Sequence, residues 1–105
     1  MSQFTVTLLE ESFEDIKIGK RFYEENETGI GSYFTDSAIA DITSLRLYAG
    51  IHSICFGYYR MLLKRFPFAV YYEKDENETR VVAVLDMRQN PKSIRATLNK
   101  RKTVR

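Results

Sequence analysis

The sequence has no tryptophan, one cysteine, one histidine and two prolines, and each scarcity closes off a class of protein. Cys55 has no second cysteine to pair with, so no internal disulfide framework exists. A lone thiol suits a reducing compartment, and its apolar neighbours mark it as inert core and not as a nucleophile. His52 and Cys55 together cannot build the usual four-ligand zinc site within one chain. No metal and no other cofactor is therefore expected. The segment Met1-Ser2-Gln3-Phe4-Thr5 lacks the basic and apolar regions of a signal peptide, and no apolar run reaches bilayer-spanning length. No glycine-flanked nucleophile and no phosphate loop is present. These features predict a cytoplasmic protein without membrane association.

What is present is a 105-residue chain that is 44% hydrophobic, with seven tyrosines and seven phenylalanines. That length supports one core. The net charge of +2 hides a gradient along the chain. Residues 1–48 carry nine acids against four bases, residues 49–91 five against six, and the last fourteen residues six bases and no acid. The basic end is either a solvated tail or a footprint for a polyanion or an acidic partner segment. Residues 1–95 are read as a single domain and residues 96–105 as a basic C-terminal tail.

Periodicity predicts the elements. Residues 3–8 alternate polar and apolar, as a short strand does. From Glu10 to Asn26 the period becomes helical, with Phe13, Ile16, Lys20 and Tyr23 as the expected stripe and Glu10, Glu11, Glu14 and Asp15 near the N-terminus. Gly29 and Gly31 serve the turn. A second helix starts near Ser32 with Phe34, Ala38, Ile42 and Leu45 on its apolar face, continuing towards Tyr48, and forms a helical hairpin with the first. Three strands follow, Cys55 to Phe66, Phe68 to Lys74 and Arg80 to Arg88. Val81-Val82-Ala83-Val84-Leu85 is an unbroken apolar run, as in a strand buried on both faces. Lys92 to Arg101, with Ile94 and Leu98 four apart, is either a short helix or a frayed end. The fold class is α+β, in the order β-α-α-β-β-β, with the hairpin on one face of a small, mainly antiparallel sheet.

The segment from Tyr58 to Tyr72 interleaves rings and cations. Alternation places Arg60, Leu62 and Lys64 on one strand face and Met61, Leu63 and Arg65 on the other, with Arg88 at the end of the last strand. Cations on a sheet can hold phosphates while tyrosines stack on bases; equally, aromatics fill cores and cations solubilise rims. The candidate binding residues are Arg60, Lys64, Arg65, Tyr71, Tyr72, Arg88, Lys92 and Arg95.

Lys64-Arg65-Phe66-Pro67-Phe68-Ala69-Val70-Tyr71-Tyr72, followed by the run Val81 to Pro91, resembles the signature of the RelE/ParE toxin superfamily. Asp15-Ile16, Phe22-Tyr23-Glu24-Glu25, Gly29-Ile30-Gly31 and Phe34 extend the resemblance upstream, so that it covers roughly residues 4–95. It implies the toxin of a type II toxin–antitoxin module, a plasmid-stabilisation type of protein held inactive by a cognate antitoxin. The family divides by target. ParE-like members inhibit DNA gyrase without being hydrolases, whereas RelE-like members cut messenger RNA on the ribosome. If the chain were such a nuclease, Arg60, Lys64, Arg65 and Arg88 would face phosphate and Tyr71 or Tyr72 would stack a base. Nucleases of the family often place an Arg where this chain has Phe68, and a Tyr or His late in the chain; after Arg88 this sequence has neither. The implied reading is therefore ParE-like, with an RNA-cutting enzyme or a non-toxic member that still binds an antitoxin as the alternatives.

Overall fold

The computed structural model describes residues 3–104, with side chains through Lys102. Strand β1 (Thr5–Leu8) leads into helices α1 (Glu10–Asn26) and α2 (Ile30–Thr43), then a single turn, α3 (Leu45–Tyr48). Strands β2 (Ile54–Cys55), β3 (Tyr58–Leu62), β4 (Phe68–Lys74) and β5 (Glu78–Asp86) follow, and helix α4 (Pro91–Val104) ends the described chain. The five strands form one sheet in the order β1-β5-β4-β3-β2. β1 lies parallel to β5, and every other pair is antiparallel. The expected α+β class and strand–hairpin–meander order are thus present, with three additions, α3, β2 and α4.

The hairpin of α1 and α2 covers one sheet face. Its core joins Ile16, Phe34, Ala38 and Ile42 to Met61, Val70, Tyr72 and Val84. The expected α2 stripe is buried from Phe34 to Leu45, but its continuation at Tyr48 is exposed. The α1 stripe differs. Phe13 and Lys20 face outward, and the buried side is Ser12, Asp15, Ile16 and Gly19. Small residues are there because α2 lies close: a Cβ on Gly19 would sit 2.6 Å from a ring carbon of Phe34. The hairpin turn is held by one carboxylate, as Glu24 accepts the amides of Gly29 and Gly31 at the start of α2. Helix α2 begins at Ile30, two residues before the expected Ser32, because Gly29 takes φ +95° and turns the chain there.

The strand expected over Cys55 to Phe66 is instead a hairpin followed by a turn. Phe56 (φ 56°) and Gly57 (φ 86°) form a two-residue left-handed connection between β2 and β3, the geometry that matches strand twist. β3 then ends at Leu62.

Helix α4 covers the other sheet face, which the expected packing of the hairpin on one face leaves open. Ile94 and Leu98 are buried against Tyr58, Ala69, Tyr71, Val82 and Leu85. Asn90 begins the helix by accepting the Lys92 amide on its side chain at 2.8 Å, with Pro91 as the first helical residue. Arg101 fixes its far end, donating to both oxygens of Asp15 on α1 at 2.5 and 2.8 Å. The helix runs through the boundary expected between residues 95 and 96, so residues up to Lys102 are packed helix and not a tail.

A bulge in β5 serves both layers. Tyr71 pairs with Ala83 and Tyr72 with Val81, leaving Val82 as the extra residue. Val81 and Val84 consequently belong to the hairpin core, and Val82, Ala83 and Leu85 to the α4 core.

Candidate interaction surface

The expected cations fall into two groups. Lys64, Arg65 and Arg88 lie at the end of the sheet where the β3–β4 turn meets the end of β5. The Met87 amide donates to the Pro67 carbonyl at 2.8 Å, and Phe68 is paired with Asp86, which brings these segments together. The Lys64 amide donates to Asp41 on α2 at 2.9 Å, fixing the turn while the lysine side chain stays exposed. Arg88 is the most organised of the three. Its Nε and Nη2 donate to the two oxygens of Asp86 at 3.0 and 2.8 Å, and its backbone amide adds a third bond at 2.8 Å. The guanidinium lies 5.9 Å from the centroid of the half-exposed Phe22 ring. The bond from Arg88 holds the Asp86 carboxyl below its usual value, and the same pairing raises Arg88.

Arg60, Arg95 and Lys92 lie with α4 and the β2–β3 turn. Arg60 donates to the Cys55 sulfur at 3.5 Å, and the Arg95 guanidinium lies 5.1 Å from the Phe56 ring centroid. Lys92 is exposed in the first turn of α4. The face expected to carry Arg60, Leu62 and Lys64 together is not built, because the strand ends before Lys64.

Tyr71 and Tyr72, expected as exposed rings, are both 0% exposed. Tyr71 packs under α4, and its hydroxyl donates to the Met87 sulfur at 3.7 Å. Tyr72 packs under the hairpin; its oxygen accepts the Gly50 amide at 2.9 Å and meets His52 Nδ1 at 2.6 Å. Burial raises the pKa of both phenols and lowers that of His52. The rings are core residues with satisfied hydroxyls and present no face to a base.

Sequence reasoning missed the partners of its own candidates. Asp86 two residues before Arg88 at a strand end was a readable signal. The Asp15–Arg101 pair spans 86 positions, and no local pattern announces it. Among the described residues no group of three or more His, Cys, Asp or Glu side chains could hold a metal ion. No helix there is long and apolar enough to cross a membrane.

No protein-family model matches the chain, and no curated protein matches it at the sequence level. Among solved structures, the fold is similar to a chain of the chromosomal ParDE TA system from P. aeruginosa. The two share 14% identity with a TM-score of 0.70, over 78% of this chain and 94% of that one. This is a likeness of fold: an α+β domain with a largely antiparallel five-stranded sheet between a helical hairpin and a terminal helix. The chain has a ParE-like fold.

Proposed function

We propose that the protein is the toxin of a type II toxin–antitoxin module, neutralised by a cognate antitoxin and acting as a ParE-like inhibitor of DNA gyrase. The observation that carries the choice of branch is the fate of the rings and of the histidine. Cleaving RNA through its 2′-hydroxyl requires a group to accept that proton and another to protonate the leaving oxygen, both within reach of bound phosphate. Tyr71 and Tyr72 are buried, and His52 is turned to a buried phenol on the hairpin side of the sheet. Arg88 is always protonated and already holds a carboxylate. Of the candidate residues, Lys64, Arg65, Arg88, Lys92 and Arg95 stay exposed, a set suited to binding a macromolecule.

The ParE-like fold and the Lys64-to-Tyr72 run support this reading, and its test is direct. Purified protein added in excess should block negative supercoiling of relaxed plasmid by DNA gyrase. Untouched supercoiling at high excess overturns the gyrase assignment. Growth arrest on induction, relieved by co-expressed antitoxin, tests the broader toxin reading independently of the target.

A further inference from the structure

Residues 47–59 are thirteen in a row without Asp, Glu, Lys or Arg, the longest such stretch in a chain that is 29% charged. An uncharged run ordinarily goes to the core. Here much of it faces solvent. Leu47, Tyr48, Ile51 and Ile54 are all exposed, Ile51 at 73% and Ile54 at 61%, and Leu62 at the end of β3 joins them. Tyr48, Ile51 and Leu62 line one cavity of about 280 Å³ together with the buried Met61.

The same segment forms an outer edge of the sheet, since no strand lies beyond β2. The Arg60 amide donates to the Ser53 carbonyl and the Leu63 amide to the Phe68 carbonyl, both at 2.9 Å. Antiparallel alternation then turns the amide and carbonyl of Ile54 away from β3. It turns those of Leu62 away from β4, at a level that β2 does not reach. Sheet edges are ordinarily blunted by charge, by proline or by a covering element. The opposite edge, β1, shows Thr5 and Thr7 to solvent. This one shows isoleucine and leucine.

We propose that this edge is the contact of a homodimer, in which residues 47–59 and Leu62 of two copies meet about a two-fold axis. Near such an axis each group meets its own kind, so a surface without charge suits a second copy. A nucleic acid or an acidic segment would need cations, and the run holds none. Arg60, next in sequence, is turned to the Cys55 sulfur at 3.5 Å. Backbone geometry agrees, because antiparallel pairing of an edge with its own copy satisfies open amides and carbonyls on both sides at once. The five exposed side chains offer apolar surface on the order of 300 Å², a core for an interface at the small end of the specific range. Arg46 and Lys64, both exposed, supply a polar rim. Contact of that size makes a reversible dimer, not an obligate one. The inference goes beyond the toxin reading and stands without it.

Sedimentation velocity of the full chain, from about 1 to 300 μM, tests it. The average mass should climb towards twice that of the monomer. The amides of Ile54 and Leu62 should exchange more slowly at the concentrated end than at the dilute end. An Ile51→Lys/Ile54→Lys variant should need at least about tenfold more protein to dimerise. Both side chains are largely exposed, so at dilution it should melt with the wild type; Leu62→Lys, on the neighbouring strand, is a second and independent disruption. Ile18→Lys/Phe22→Lys, exposed beside Val84 and Leu85 of β5, should dimerise as the wild type does. A monomer throughout the range overturns the proposal. So does a dimer that the edge variants leave intact, one that the α1 variant abolishes, or one that forms without slowed exchange at Ile54 and Leu62. A chain that stays monomeric yet floats with uncharged phosphatidylcholine vesicles, and stops floating in the edge variants, would give the patch to a lipid surface instead.

Discussion

The two faces of the sheet are covered by different means. On the hairpin side, two long helices bring Tyr23 and Phe34 against Phe66 and Phe68, with ring centroids 4.8 to 6.1 Å apart. On the other side a single helix lies on a smaller core through Ile94 and Leu98, and a charge pair at Arg101 ties it to α1. The first face is held by interlocked rings, which fail together. The second is held by few anchors, so α4 is the layer whose opening disturbs the rest of the domain least.

The largest effect that would test this contrast is Phe34→Ala. Phe34 is fully buried and touches three other rings, and its loss should cost about 3–5 kcal/mol. Urea unfolding should show one cooperative transition at lower midpoint; a change confined to α1 and α2 would break the comparison.

Leu98→Ala comes next, at about 2–5 kcal/mol for a buried leucine. Amide exchange should accelerate in α4 well before it does in β4 and β5. Uniform acceleration across the chain would show that the two layers are equally coupled.

A gain of about 1 kcal/mol is expected from Thr79→Val. The Thr79 hydroxyl is, among the buried side-chain N and O atoms of the described residues, the one without a hydrogen-bond partner; valine removes that unsatisfied group at similar shape. Thermal melting reads it, and a lower melting temperature would mean that the hydroxyl is satisfied in solution.

The smallest effect is a pH dependence on the hairpin side. Tyr72 accepts the Gly50 amide and shares a 2.6 Å hydrogen bond with His52 Nδ1 whose donor is set by the imidazole tautomer, in a setting where burial favours the neutral ring. Burial places the folded pKa of His52 below its ordinary 6.5. As pH falls the unfolded chain takes up the proton first, so this stability is complete above 6.5 and is lost as pH drops through the lower folded value. The melting temperature should fall from pH 6.5 downward, and more gently in His52→Gln. Identical profiles for the two proteins would remove His52 from the account.

How much of this was readable before the structure follows from the kind of signal each element carries. β4, β5 and α2 announce themselves by burial period, and their cores are where the spacing of Phe34, Ala38, Ile42 and Val81–Leu85 predicts them. α1 was offset because its buried face is built from Ser12 and Gly19, which a search for large apolar residues passes over. The β2–β3 turn was hidden because Phe56, a residue that seldom adopts positive φ, occupies one of its two left-handed positions. α4 was half legible: Ile94 and Leu98 marked a stripe, and Asn90-Pro91 is a helix start that was available. That this helix closes the second face depends on Arg101 finding Asp15 across the whole chain, which local pattern does not encode. The same omission misdirected the site. Cations and rings that alternate on paper suggest one exposed surface, whereas Tyr71 and Tyr72 lie in the two cores and the cations divide between the β3–β4 turn and the α4 side.

Primer extension on translated transcripts after induction tests most directly whether this protein acts by binding rather than by cutting. With both tyrosines buried and Arg88 held by Asp86, growth should stop while messenger RNA remains intact within codons. Cleavage products that appear with induction and vanish in an Arg88→Ala variant would contradict that account.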